Sequence, residues 1–240
     1  LVLAFKDSTI MIFKIKDNKN LYLSLDKISQ FKLLDNVQSI AISNNGNTVY
    51  YGNFKGLVNS IEITENKLIK TVFKPSDRWE KNKQTISKAI SLNLSQDERF
   101  LGIGYNDGNI GFCKFIDNDV KPYQLYEKHA AQVEHIIFDE HSAQMITSGA
   151  DKVIKVFELN NLTAKPISIR NHGEKIKSMV LYDSHTLIAA GVGGVIWKWE
   201  LNSEKLKTDI EPLINRQLNE EEWKYFIGNE IDYDNRTIKK

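Results

Sequence analysis

At 240 residues, with 41% hydrophobic and 10% aromatic content, the chain is long enough to bury a sizeable core as one domain. Its 32 basic and 31 acidic residues leave a formal charge of +1, so no overall field draws it to nucleic acid or to an anionic membrane. A single cysteine, Cys113, excludes an internal disulfide, and no run of 18 apolar residues or leader-like N-terminus is present, so a cytoplasmic location is expected.

Along the chain, apolar stretches of four to eight residues alternate with polar residues and stop at Asn, Asp, Gly or Ser, which predicts half-buried strands joined by tight turns. The opening "LVLAFKDSTIMIFKI" aligns with "MITSGADKVIKVFEL" (145–159), placing Asp7 on Asp151, Ile10 on Ile154 and Phe13 on Phe157. The chain is therefore expected to start inside a repeat, with the first strand of that repeat about 11 residues upstream of Leu1. Four repeats then follow one frame: an apolar triplet, a turn, a strand ending in small residues, a turn, and a strand with a β-branched residue near its start. The triplets are Val37/Ile40/Ile42, Ala89/Leu92/Leu94, Val133/Ile136/Phe138 and Ile176/Met179/Leu181. The later β-branched residues are Val58, Ile110, Ile154 and Ile196, at offsets of 21, 21, 21 and 20 residues from the triplet starts.

The longest repeat spacing, from Val58 to Ile110, is partly taken up by the loop "KPSDRWEKNKQ" (74–84). Its Arg78, Trp79, Lys81 and Lys83 have the composition of a partner-binding patch, while a solvated loop with Trp79 folded back is the plain alternative. After the repeats, 214–240 breaks the strand pattern, and a helix is expected over 219–227. Asn219 is the N-cap, Glu222 completes a capping box, Leu218 and Trp223 are spaced as a hydrophobic staple, and Gly228 ends the helix. Trp223 is a further candidate for partner binding, or else caps the last repeat.

The segments "TSGADKVIKVFEL" (147–159) and "GYNDGNIGFCKF" (104–115) resemble the second turn and third strand of a WD40 repeat. That resemblance implies an all-β propeller over 1–213, with about four complete four-stranded blades and part of a fifth, and further blades are expected upstream to complete a larger ring. It also implies a structural network of His129, Ser148 and Asp151, with Phe157 where tryptophan is usual. His172 takes the histidine position of the last repeat, Trp199 its tryptophan position, and Asp107 the turn aspartate position of the repeat preceding 129–159. The tail is similar to an Arg-x-Leu-Thr-x-x-Glu-Trp-x-x-Tyr ending that follows WD-repeat arrays in large bacterial signalling proteins. Arg216, Leu218, Glu222 and Trp223 match it, Asn219 replaces threonine and Phe226 replaces tyrosine. In such proteins the upstream part is often a nucleotide-dependent switch, a protease-like or a kinase domain, so an upstream domain of the same polypeptide is an implied partner.

Chemistry is sparse. "GIGYNDG" (102–108) runs into a strand where a dinucleotide fingerprint must open a helix, and "GVGG" (191–194) lacks the lysine and hydroxyl of a P-loop. The five histidines form no helical zinc pair, and there are no cysteine pairs, so no metal or cofactor is expected. The reading is a non-catalytic module that binds a protein or peptide and serves as the docking end of a larger signalling protein. Its alternatives are an enzyme with an active site in the propeller channel, and a passive scaffold.

Overall fold

The computed structural model describes residues 1–16, 24–63, 67–75, 87–117, 119–125, 127–139, 143–170, 172–183, 185–210, 212 and 219–222. Two compact units divide the chain, Leu1–Trp199 and Glu200–Lys240. In the first, successive strands pair in antiparallel order into five sheets. The first sheet is β1 (Val2–Ala4), β2 (Thr9–Lys16) and β3 (Ser24–Lys32). Next come β4 (Val37–Ile42), β5 (Thr48–Asn53), β6 (Val58–Glu62) and β7 (Lys67–Phe73), then β8 (Ala89–Leu94), β9 (Phe100–Tyr105), β10 (Ile110–Ile116) and β11 (Asp119–Gln124). The fourth sheet is β12 (Val133–Asp139), β13 (Gln144–Gly149), β14 (Ile154–Glu158) and β15 (Ile167–Ile169). The last is β16 (Ile176–Leu181), β17 (Thr186–Gly191) and β18 (Ile196–Glu200). These are WD40-type propeller blades, each a short meander whose first strand lies beside the first strand of the next: β4 by β8, β8 by β12, and β12 by β16.

The spacing of the apolar triplets has a physical cause. A regular strand brings side chains to one face every second residue, yet Val37 and Ile40, or Val133 and Ile136, are three apart. In each of the four inner strands the register slips once, between Val37/Ser39, Ala89/Ser91, Val133/His135 and Ile176/Ser178. One bulged residue per strand returns the third residue to the same face. A second repeated device sits in the turn before the third strand. Ser8, Gly56, Gly108, Lys152 and Gly194 occupy the same frame position, and all five have positive φ.

Apolar clusters lie between consecutive blades. Ile10, Ile12, Val49, Tyr51 and Ile61 form one, Val58, Phe73, Ala89, Leu101, Ile103, Tyr105 and Cys113 another, and Phe100, Ile110, Phe112, Val133, Ile136, Met145 and Phe157 a third. Packing this close uses the small residues at the strand ends: a Cβ on Gly104 would come within 2.7 Å of the Val133 side chain in the next blade. Polar bolts join the blades as well. The Tyr105 hydroxyl donates to the Gly56 carbonyl at 2.9 Å, Ser39 Oγ to the Ala89 carbonyl at 2.8 Å, and Ser91 Oγ to the Val133 carbonyl at 3.1 Å. Cys113 is fully buried, and burial pushes its thiol up to about 12, which makes it an inert core residue.

The second unit differs from the strand pattern expected to run to residue 213. After β18, residues 203–210 form a helix, α1 (Ser203–Ile210), so that among the described residues the last blade has three strands. Asn202 caps it by accepting from the Lys205 N–H at 3.0 Å, and the Glu-Lys-Leu-Lys run that follows favours helix over strand. Further on, the expected capping box is present: Glu222 N–H donates to Asn219 Oδ1 at 2.8 Å, and Asn219 N–H donates to Glu222 Oε2 at 3.0 Å. The rest of the helix expected over 219–227, including Trp223, lies outside the described residues.

Candidate functional site

In the blade β12–β15, His129 is fully buried in front of the first strand. Its Nδ1 lies 3.0 and 3.1 Å from the two carboxylate oxygens of Asp151, and its Nε2 lies 2.8 Å from Thr147 Oγ1. Asp151 also accepts from the Ala130 N–H at 2.8 Å and from the Val153 N–H at 3.1 Å. Burial holds the imidazole below its usual range, and the Asp151 carboxylate offsets part of that shift. A neutral ring donating from Nδ1 and accepting at Nε2 satisfies every partner in this geometry. Phe157, at 3% exposure, belongs to the core cluster with Val133, Ile136 and Met145.

The residue facing Nε2 is Thr147, one position before the expected Ser148, whose buried hydroxyl has no hydrogen-bond partner. Adjacent strand residues point to opposite faces, so a frame shifted by one residue selects the wrong hydroxyl. Two adjacent hydroxyl residues in the sequence were the available signal. Asp107 organises its turn in the preceding blade, accepting from Ser87 Oγ at 2.6 Å, Asn109 N–H at 3.1 Å and Asn109 Nδ2 at 2.8 Å. These groups are tied to one another and hold turns in place.

The last blade is different. Gly193 stands at the frame position of Asp151 and Ala189 at that of Thr147. His172, only 5% exposed, has no hydrogen-bond partner at either ring nitrogen. Trp197 and Trp199 meet its ring edge-on at centroid distances of 5.6 and 5.8 Å, and the two indoles stack on each other at 6.2 Å. The carboxylate of Glu174 accepts from the Gly193 N–H at 2.8 Å. Trp197 and Arg170 here were not singled out by the sequence, where only Trp199 carried the signature.

Where the inner strands end, four blades line a cavity of about 550 Å³. Asn44, Asn93, Gln96, Asp139 and Asp183 supply its polar groups, and Leu94, Phe138 and Leu181 its apolar wall. Asp139 is buried, whereas Asp183 is exposed and held below the usual carboxylate range, chiefly by the His185 N–H. Arg78, Trp79 and Lys81, expected as partner-binding residues, lie with Trp223 outside the described residues. Among the described residues no group of three or more His, Cys, Asp or Glu side chains is arranged to hold a metal ion, and no helix is long and apolar enough to cross a membrane.

No protein-family model matches the chain. A WD repeat-containing protein 55 homolog from Aedes aegypti is 24% identical over 140 residues, covering 57% of this chain; the chain spans 30% of that relative's length. Among solved structures, a chain of a mitotic checkpoint complex superposes with a TM-score of 0.58 at 17% identity, over 84% of this chain and 61% of the other. The computationally designed Ika4 protein gives a TM-score of 0.53 at 16% identity, over 71% of this chain and 94% of its own. WD40 propellers are protein-interaction modules as a class. The repeat frame, the antiparallel blades and the likeness to a WD repeat-containing protein together give the chain a fold of WD40-type propeller blades.

Proposed function

We propose that the chain is a non-catalytic docking module that holds a polar, cationic segment of a protein partner in the cavity at the end of the inner strands. The observation behind this reading is the lining: side-chain amides from Asn44, Asn93 and Gln96 and carboxylates from Asp139 and Asp183 converge from four blades, over an apolar wall. Amides accept and donate along a peptide backbone, while the carboxylates select a lysine or arginine. In this reading the blades over 1–213 and the tail over 214–240 form the docking end of a larger cytoplasmic signalling protein, whose upstream domain it controls or targets.

The test is anisotropy of labelled heptapeptides, with Lys or Arg at the centre and with norleucine in its place, against the full chain and its Asp183→Lys variant. Selective binding of the cationic peptides, weakened about tenfold by Asp183→Lys, supports the reading. Equal binding of norleucine and lysine peptides, or turnover of a small-molecule substrate blocked by the same variant, would sink it; the second result would point to a channel enzyme.

A further inference from the structure

The last blade holds a cavity of its own, apart from the cavity at the inner strands. His172 is the clue. A buried polar side chain with no partner is rare in native proteins, because it forfeits hydrogen bonds to water without replacement. Here both ring nitrogens are in that state. The ring lines a cavity of about 330 Å³ together with Ser168, Ile169, Arg170, Trp197 and Trp199.

The neighbouring blade shows how the same place is filled elsewhere in the chain. There, His129 has the Asp151 carboxylate at 3.0 Å, and two further frame positions hold Glu127 and Lys155, whose charged ends lie 3.5 Å apart with the lysine buried. In the last blade Gly193 replaces the aspartate, Arg170 replaces the glutamate, and Trp197 replaces the lysine. The exchange removes the carboxylates and the lysine at these frame positions; the Glu174 carboxylate lies beside Gly191 and Gly193, and a guanidinium, two indoles and an unpaired imidazole line one opening. Among the described residues no carboxylate is paired with Arg170. Glu174, the nearest acidic residue in sequence, is held on the Gly193 N–H.

We infer that this cavity binds the side-chain carboxylate of an acidic residue in a peptide partner. The carboxylate accepts from Arg170 and from one nitrogen of His172, doing in trans what Asp151 does for His129 in cis. Trp197 and Trp199 take the flat peptide groups and the aliphatic stem beside it. A cationic ligand is disfavoured, since Arg170 would lie next to it.

The test uses the full chain and four hexapeptides, three capped at both ends with repeating Glu-Ala, Gln-Ala or Lys-Ala and one of Ala with a free C-terminal carboxylate, followed through the indole N–H resonances of Trp197 and Trp199. Those resonances are assigned with Trp197→Phe and Trp199→Phe. The Glu-Ala peptide is expected to shift both in a saturable way, and Arg170→Gln, an exposed substitution, to weaken it about tenfold. His172→Gln, which keeps a side-chain amide in place of the ring, reports the second contact by a loss of similar size. The inference is overturned if Gln-Ala or Lys-Ala binds as tightly as Glu-Ala, if Arg170→Gln changes nothing, or if only an Ala hexapeptide with a free C-terminal carboxylate shifts the resonances. Because Asp183→Lys leaves this cavity untouched, failure here is distinguishable from failure at the inner-strand cavity.

Discussion

The blade β12–β15 and the blade β16–β18 follow one frame and bury a histidine at the same place, yet they treat it in opposite ways. His129 is enclosed by Asp151 and Thr147 from its own blade, whereas His172 is enclosed by two tryptophans that offer it no acceptor. The contrast extends to the surface. Val180, Tyr182, Val192 and Ile196 of the last blade are exposed, while their counterparts in the blade before it are half-buried (Ile137, Ala150) or buried (Asp139, Ile154). A buried histidine is thus a staple when its carboxylate comes from the same blade, and an open valence when it does not.

The largest expected effect comes from removing the acceptor where it exists. Asp151→Ala leaves His129 Nδ1 and the Ala130 and Val153 N–H groups without their shared carboxylate, and should lower stability by about 3 kcal/mol in equilibrium urea unfolding. The mirror substitution, Gly193→Asp, has a smaller effect of opposite sign. It places a carboxylate beside His172 but displaces Glu174 from the Gly193 N–H, so the net gain stays below about 1 kcal/mol. If Asp151→Ala costs less than about 1 kcal/mol, water replaces the carboxylate and the two blades do not differ in the way described.

A proton on His129 should produce a smaller loss, because Asp151 remains in place to meet it. Burial lowers the folded-state affinity of His129 for a proton below that of the unfolded chain. The contribution of the neutral ring is therefore complete above the unfolded value of about 6.5, and is lost as pH falls from there through the folded value. Urea midpoints measured at pH 7.5 and 5.5 should fall more in the wild type than in His129→Gln. Equal falls would mean that other groups carry the acid sensitivity and that His129 is not held neutral.

Much of this contrast was legible in the sequence, and the unread part has a physical reason. Frame positions marked the blades, because an apolar triplet and a β-branched residue about 21 positions later serve the two sides of a blade: Ala89 packs in one inter-blade cluster and Ile110 in the next. His129, Asp151 and Asp107 were readable since turn aspartates and the histidine before a triplet have one geometry available to them. Thr147 against Ser148 was not, because both are fully buried neighbours on β13 and only the face that His129 occupies decides which hydroxyl it meets. The helix at 203–210 was missed for a different reason: a strand frame carried forward ignores a local N-cap such as Asn202. Arg170 and Trp197 escaped notice because a ligand cavity made by substitution within a repeat shows only when a complete blade stands beside it.

The smallest effect tests whether the two blades share their backbone as closely as their frame. Lys152 and Gly194 occupy the same turn position, with φ of 63° and 83°. A side chain other than glycine is strained there, and glycine is free of that strain at the cost of a more flexible unfolded chain. A Cβ on Gly194 would meet nothing within 4 Å, so the backbone angle alone sets its tolerance. Lys152→Gly should therefore gain, and Gly194→Lys lose, about 0.5 kcal/mol each in urea unfolding. A loss above about 2 kcal/mol in Gly194→Lys would show that the turn of the last blade meets atoms which its partner turn does not, and the backbone correspondence between the two blades would fail.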